Sequence, residues 1–296
     1  MSWRVTISAT RDQAETAGAL DDPFPLSAEQ PVLVADEPDP ARPDEWLIHA
    51  YFERRPEDSD LDRIAELGRG TPQIEQLGED DWVTMSQAGL QPIRAGRFFV
   101  HTPTHPPLAD AVNFEIDAGL AFGTGQHATT AGCLAALDRL EAEGKSFANI
   151  ADIGTGTGLL AFAALSLWPE AKAIATDIDP VSIDVTRDNA AINRVRLGQA
   201  PGELLLAVAD GMDHPMLAAR APFDLIIANI LAAPLILLAP AFAKACAPGA
   251  TLVLAGLLDS QAEAVVASYA AFGLSPARPL QGEWPVVELV LEPRGR

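Results

Sequence analysis

From Asn113 onward, short apolar segments alternate with longer amphipathic ones, and this alternation restricts the fold more than any other feature of the 296-residue chain. Asn149–Ile153, Ala171–Asp177, Glu203–Val208, Phe223–Asn229, Ala250–Ala255 and Trp284–Leu291 read as strands. Thr157–Leu167, Pro180–Asn193, Pro234–Ala247 and Ser260–Phe272 read as helices that separate most of them. A helix between two strands carries the chain back across the sheet, so the strands run parallel and the helices cover both faces. The stretch from Ser275 to Glu283 is too short and too Pro-interrupted for a helical crossover, which predicts an antiparallel hairpin at the sheet edge.

Residues 1–90 follow a different pattern. Trp3–Ser8, Pro31–Ala35 and Trp46–Phe52 are strand-like, and Leu61–Leu67 is a short helix, joined by acidic, Pro-containing loops. This predicts a small α+β domain at 1–90 and a larger α/β domain at 113–296. Residues 91–112, rich in Pro and His, read as a linker or an ordered loop. His101 and His105 lie within that stretch, but Pro103 between them denies them a common helix face, and no metal site is expected.

The chain carries 41 acidic against 20 basic residues, a net charge of −21, which disfavours nucleic acid and anionic membrane as partners. Residues 1–110 hold 21 acids and nine bases, a net of −12, so the acidity is densest at the N-terminal end. A basic partner is drawn to such a surface. Cys133 and Cys246, both in stretches that read as helices, are too few for a disulfide framework or zinc cluster. Leu225–Ala243 lacks charge but contains Asn229, Pro234 and Pro240, and reads as strand, loop and helix rather than a membrane span. With no basic-then-apolar leader at the start, a cytoplasmic location is expected.

The chemistry concentrates where strands hand over to helices. Asp152-Ile-Gly154-Thr-Gly156-Thr-Gly158 follows the first strand of the larger domain, and glycines there let the backbone turn tightly against a ligand. A dinucleotide fingerprint requires glycine at position 159, where Leu159 stands, so a dehydrogenase is disfavoured. The Gly-x-Gly-x-Gly spacing resembles the first motif of class I S-adenosylmethionine-dependent methyltransferases. Asp177, at the tip of the next strand, is placed to accept both hydroxyls of a ribose, whereas Asp179 before Pro180 reads as a helix N-cap. Asp210, after the third strand, is a weaker candidate for contact with adenine.

Asn229 ends the fourth strand and is followed by Ile230-Leu231-Ala232. Without an aromatic residue there, a flat π target has nothing to stack on, and an aliphatic amine fits better. The amide oxygen of Asn229 can accept a hydrogen bond from that amine and so aim its lone pair. Ahead of the fold, Gly119-Leu-Ala-Phe122-Gly-Thr124-Gly-Gln-His127-Ala-Thr-Thr130 reads as a loop with polar contacts, its two threonines opening a helix over Ala131–Leu140.

Taken together, the Gly119–Thr130 segment, the glycine turn, Asp177-Ile-Asp-Pro with Asp188-Asn189-Ala190 and Asn193, and Ala-Asn229-Ile-Leu-Ala resemble the bacterial ribosomal protein L11 methyltransferases, the PrmA family. Asp81-Trp82, Ala95–Val100 and Glu283-Trp284 extend the likeness over about residues 75 to 291. The resemblance implies a class I methyltransferase domain preceded by a domain that recognises ribosomal protein L11. It implies methylation of lysine side chains and of the N-terminal α-amino group, with S-adenosylmethionine consumed to S-adenosylhomocysteine and no metal. Carried over by position, it implies cofactor contacts at Thr130, Gly154, Asp177 and Asn229, with Phe122, Thr124 and His127 also lining the site; Gly156 of the same glycine turn is a further candidate contact. Gln126, Ala128 and Thr155 depart from the family's usual Thr, Pro and Cys. The alternatives are a same-fold methyltransferase acting on another protein or small amine, and a non-catalytic nucleotide-binding protein.

Overall fold

The computed structural model describes residues 2–18, 24, 27, 31–36, 44–52, 54–77, 92–116, 126–280, 282 and 284–292; the side chains of Ser2, Asp12, Glu15, Leu77, Gln126 and His127 lie outside that description. The chain divides into two units, residues 1–89 and 90–296.

In the second unit the apolar runs form a seven-stranded sheet of order β10 (Leu204–Val208), β9 (Lys172–Asp177), β8 (Asn149–Ile153), β11 (Phe223–Asn229), β12 (Cys246–Ala255), β14 (Val287–Leu291) and β13 (Leu274–Pro276). β8, β9, β10, β11 and β12 run parallel to one another, with β10 at one edge. Successive residues point to opposite faces. Leu225 and Ile227 therefore pack with α3 (Gln126–Ala142), α4 (Leu159–Leu167) and α5 (Pro180–Ile192), whereas Ile226 and Ala228 pack with α6 (Pro215–Arg220), α7 (Ala232–Ala245) and α8 (Asp259–Ala270). Both faces are buried, which is why these strands read as continuous apolar runs.

β13 (Leu274–Pro276) and β14 (Val287–Leu291) form the expected antiparallel pair, with β14 inserted between β12 and β13. β14 starts at Val287 rather than Trp284, since Pro285 has no N–H for the ladder. Cys246 opens β12 instead of closing a helix, and Cys133 is buried in α3. Leu225–Ala243 is divided between β11 and α7, and no described helix is long and apolar enough to cross a membrane.

Residues 91–112 do not behave as a linker. They contain β5 (Ile93–Ala95) and β6 (Phe98–His101), which join β7 (Val112–Glu115) in a three-stranded sheet of the second unit. Phe98, Val100 and Phe114 enter the core beside α3 and α4, Phe114 lying 6.4 Å from Phe162 between ring centroids. His101 is buried in β6, with Nδ1 2.9 Å from the Thr102 carbonyl oxygen. Among the described residues no group of three or more His, Cys, Asp or Glu is arranged to hold a metal.

In the first unit, β1 (Ser2–Ala9), β2 (Val32–Asp36), β3 (Trp46–Phe52) and β4 (Arg69–Leu77) form an antiparallel sheet of order β2-β3-β1-β4. Val5, Ile7, Ile48, Ala50 and Phe52 share one face and bury it with Ala14 of α1 (Arg11–Gly18) and Ile64 of α2 (Asp58–Leu67).

Candidate functional site

At the carboxyl end of β8 the chain must leave the sheet and enter α4 within five residues. The N–H groups of Gly154 and Thr155 donate to the Thr176 carbonyl of β9 at 2.8 and 2.9 Å, which ties the turn to the neighbouring strand. Gly154 has φ +75°, and a Cβ there would lie 2.3 Å from Cγ2 of Ile230. Only glycine satisfies both the backbone sign and that approach. The turn after β8 therefore rests directly on the turn after β11.

Gly156, at φ +57°, does something else. A Cβ at that position would meet nothing within 4 Å, so this part of the turn borders open space. Its N–H donates to Oδ2 of Asp177 at 2.9 Å, and the N–H of Asp179 donates to Oδ1 at 3.0 Å. Each carboxylate oxygen keeps acceptor capacity for a second partner. A half-buried carboxylate beside a turn whose wall lacks a side chain fits a ribose diol, which supplies two donors. Asp179 is the N-cap of α5, its Oδ1 accepting from Val181 N–H at 2.9 Å.

Two residues that the sequence left without a role brace this turn. Thr186 Oγ1 donates to the Gly156 carbonyl at 2.8 Å, and Asn189 Nδ2 donates to the Thr157 carbonyl at 3.1 Å. They stand three apart on α5 and share one helix face. Polar residues at that spacing on the buried side of a helix were the available signal. Asn193, one turn further, accepts from the Glu115 N–H at 2.9 Å and donates to the Glu115 carbonyl at 2.7 Å. It thereby clamps the end of β7, just before residues 117–125.

Asp152 lies beneath the turn, 1% exposed. Its Oδ2 accepts from Thr155 Oγ1 at 2.7 Å and from Ala161 N–H at 3.1 Å, while Oδ1 is buried without a partner. Burial raises its pKa to about 6; the Thr155 and Ala161 bonds oppose that rise and the charge of Asp177 adds to it. Cys133 of α3 is completely buried, and burial first, then the charges of Asp152 and Glu288, raise its thiol far above the ordinary range. It is no nucleophile.

At the end of β11, Asn229 is half-buried, and its Nδ2 lies 3.3 Å from Thr130 Oγ1 on the first turns of α3. The helix begins at Gln126, so Thr129 and Thr130 lie within it rather than opening it, and Thr129 is buried. Two fastenings hold α3 in place. Arg139 pairs with Glu288 of β14, and Arg97 donates from its backbone N–H and its Nε to Asp138 at 3.2 and 2.5 Å. Gly132 allows close approach to the chain before β14, where a Cβ would lie 2.6 Å from Val286 Cγ2.

The turn of Gly154 and Gly156, Asp177, Asn229 and Thr130 thus meet at one edge of the sheet. Asp210 follows β10 at the same edge, exposed and bridged to Asp213. Phe122 and Thr124 lie outside the described residues, as do Asp81, Trp82, Glu283 and the side chain of His127.

A parallel sheet with one antiparallel strand inserted next to its edge, a glycine turn after the central strand and an acid at the tip of its neighbour define a Rossmann-like S-adenosylmethionine-dependent methyltransferase. Within that class, the family model of the ribosomal protein L11 methyltransferases (PrmA) matches residues 11–290, and the chain belongs to that family. It is 42% identical over 245 residues to a ribosomal protein L11 methyltransferase of Brucella abortus, covering 82% of this chain and 84% of the relative. A relative of the same name from Chelativorans sp. is 44% identical over 220 residues, 73% of each chain. The solved ribosomal protein L11 methylase of Lactobacillus delbrueckii subsp. bulgaricus superposes with a TM-score of 0.57 at 25% identity, covering 69% of this chain and 98% of that one.

Proposed function

We propose that this enzyme transfers methyl groups from S-adenosylmethionine to amino groups of ribosomal protein L11, at lysine side chains and the N-terminal α-amine. The observation that carries the reading is Asn229 at the end of β11, beside Ile230 on which the glycine turn rests and with no aromatic residue following. The names of the relatives support L11 as the substrate.

The sulfonium of the bound methyl donor supplies an activated methyl group, so the chain's task is to bind, orient and exclude water. In this reading Asp177 accepts from the ribose and the turn of Gly154 and Gly156 borders the donor. Thr130 and Asp210 contact it further along the edge, and Phe122, Thr124 and His127 line it from the preceding segment. Asn229 accepts a hydrogen bond from the attacking amine through Oδ1. A lysine amine with its ordinary pKa of about 10.4 must shed a proton before it attacks, and desolvation beside a cation favours that loss. The unit of residues 1–89 recognises the protein substrate, its acidity matched to a basic partner. The reading places the reaction in the cytoplasm, on L11 free or in the ribosome, with no nucleic-acid site and no metal.

The test is incubation with purified L11 and methyl-labelled S-adenosylmethionine, followed by mass mapping of the product. Label on lysine and N-terminal amino groups is expected. Label on some other protein or small amine, with L11 unmodified, would replace the substrate assignment while keeping the enzyme class.

A further inference from the structure

We propose that Thr130 is a positioning residue that fixes which end of the Asn229 amide faces the amine. The inference rests on the proposed reading of Asn229 as the amine's acceptor. An Asn side chain is nearly symmetric in shape but opposite in chemistry at its two ends: Oδ1 accepts and Nδ2 donates. Turned the wrong way, Asn229 would present a donor to an amine that needs an acceptor. The end must therefore be chosen by something other than fit.

Thr130 is 99 residues away in sequence, yet Asn229 Nδ2 donates to its hydroxyl oxygen at 3.3 Å. A hydroxyl could equally donate to Oδ1 of a flipped amide, so the bond selects one orientation only when the hydroxyl proton is engaged elsewhere. The proposed contact of Thr130 with the methyl donor provides that engagement. Once the Thr130 proton is given to the donor, only oxygen lone pairs remain toward Asn229. The amide then turns Nδ2 to Thr130 and Oδ1 to the amine. Filling the donor site thus prepares the acceptor for the second substrate, through one hydroxyl.

This arrangement needs α3 held in register with β11. The Arg139–Glu288 and Arg97–Asp138 pairs and the close approach at Gly132 supply that hold.

The test compares Thr130→Val, which keeps shape without a hydroxyl, with Thr130→Ser, which keeps the hydroxyl; Thr130→Ala replaces the Val variant if that fails to fold. In 15N-labelled protein, the Asn229 side-chain amide resonances, assigned by their loss in Asn229→Ala, are followed with and without S-adenosylhomocysteine. At saturating S-adenosylhomocysteine, slowed exchange of the Asn229 side-chain amide protons, which reports the Nδ2 bond to the Thr130 oxygen, is expected in the unmodified protein and in Thr130→Ser, but not in Thr130→Val. At saturating methyl donor, Thr130→Val should lower kcat at least tenfold, and Thr130→Ser should recover most of the loss. In an Asn229→Ala background Thr130→Val should cost less than twofold more, because the two residues act as one unit. Amide-proton exchange indifferent to the Thr130 hydroxyl, or losses that multiply in the double variant, would overturn the inference. Absence of methyl transfer by the unmodified protein would instead refute the proposed function, and the resonance comparison separates the two failures.

Discussion

The carboxyl group of Asp152 should make the stability of the second unit fall as pH rises through the weakly acid range. The unfolded chain holds this group at its ordinary pKa of 3.8, and burial in the native protein raises it to about 6. Between those values the native state binds more protons than the unfolded one, so stability decreases with increasing pH and the decrease is complete above about pH 6. Two pK units correspond to about 3 kcal/mol. Asp152→Asn is neutral at every pH, and its amide oxygen can still accept from Thr155 Oγ1 and Ala161 N–H. Its Nδ2 would take the place of the unpartnered Oδ1, which costs about 1–3 kcal/mol and does so equally at all pH values. The diagnostic is therefore the difference between parent and variant across pH, in which titrating groups that do not interact with Asp152 cancel. Urea unfolding of both proteins from pH 4 to pH 8 should show the variant gaining about 2.5 kcal/mol on the parent over that range, the rest of the change lying below pH 4. Parallel profiles would show that Asp152 titrates normally, and the argument from its burial would be wrong.

The remaining predictions concern the site directly. Asn229→Ala should reduce methyl transfer at least a hundredfold while changing S-adenosylhomocysteine affinity less than tenfold by calorimetry; equal losses in both would remove its orienting role. Gly154→Ala places a Cβ 2.3 Å from Ile230 at φ +75°, and should cost about 2–4 kcal/mol in urea unfolding together with most of the cofactor affinity. Gly132→Ala adds a methyl 2.6 Å from Val286, which should cost about 1–3 kcal/mol and lower kcat more than it raises KM for the methyl donor. L11 affinity should fall steeply with added salt, as expected for an acidic surface meeting a basic partner; affinity unchanged between 50 and 300 mM salt would make the acidity only a solubilising coat.

The parts of the fold legible in the sequence are those where burial is uniform. β8 and β11 have the expected ends because each is an apolar run, buried on both faces and closed by a Gly or Asn turn. β4 went unread because it is an edge strand whose residues, Arg69 to Leu77, alternate mostly among polar types and stay largely exposed. β5 and β6 were hidden for another reason: Pro and His around them signal a loop, while the ladder that makes them a sheet is completed by β7, eleven residues beyond β6. At the site, glycine spacing and strand-tip acids mark the candidate ligand site. They do not distinguish Gly154, which packs on Ile230, from Gly156, which borders open space, because that depends on a turn about 75 residues away.

The contact between Gly154 and Ile230 also explains how the proposed site can hold two reactants at a fixed separation. The donor turn and the acceptor Asn229 stand on adjacent strands, β8 and β11, whose register pairs Ile227 with Asp152. Backbone pairing alone sets the strands side by side but leaves the two turns beyond them free to diverge. A glycine with no side chain, seated on the residue next to Asn229, closes that freedom by direct packing, and well-packed contacts tolerate little displacement. Thr130 also reaches Asn229, from α3, a helix paired with β14 and Arg97 and packed on α4. Asn229, the proposed acceptor, is therefore held by two contacts. A methyl transfer that depends on aligning two bound molecules has its geometry built from this packing, not from either ligand.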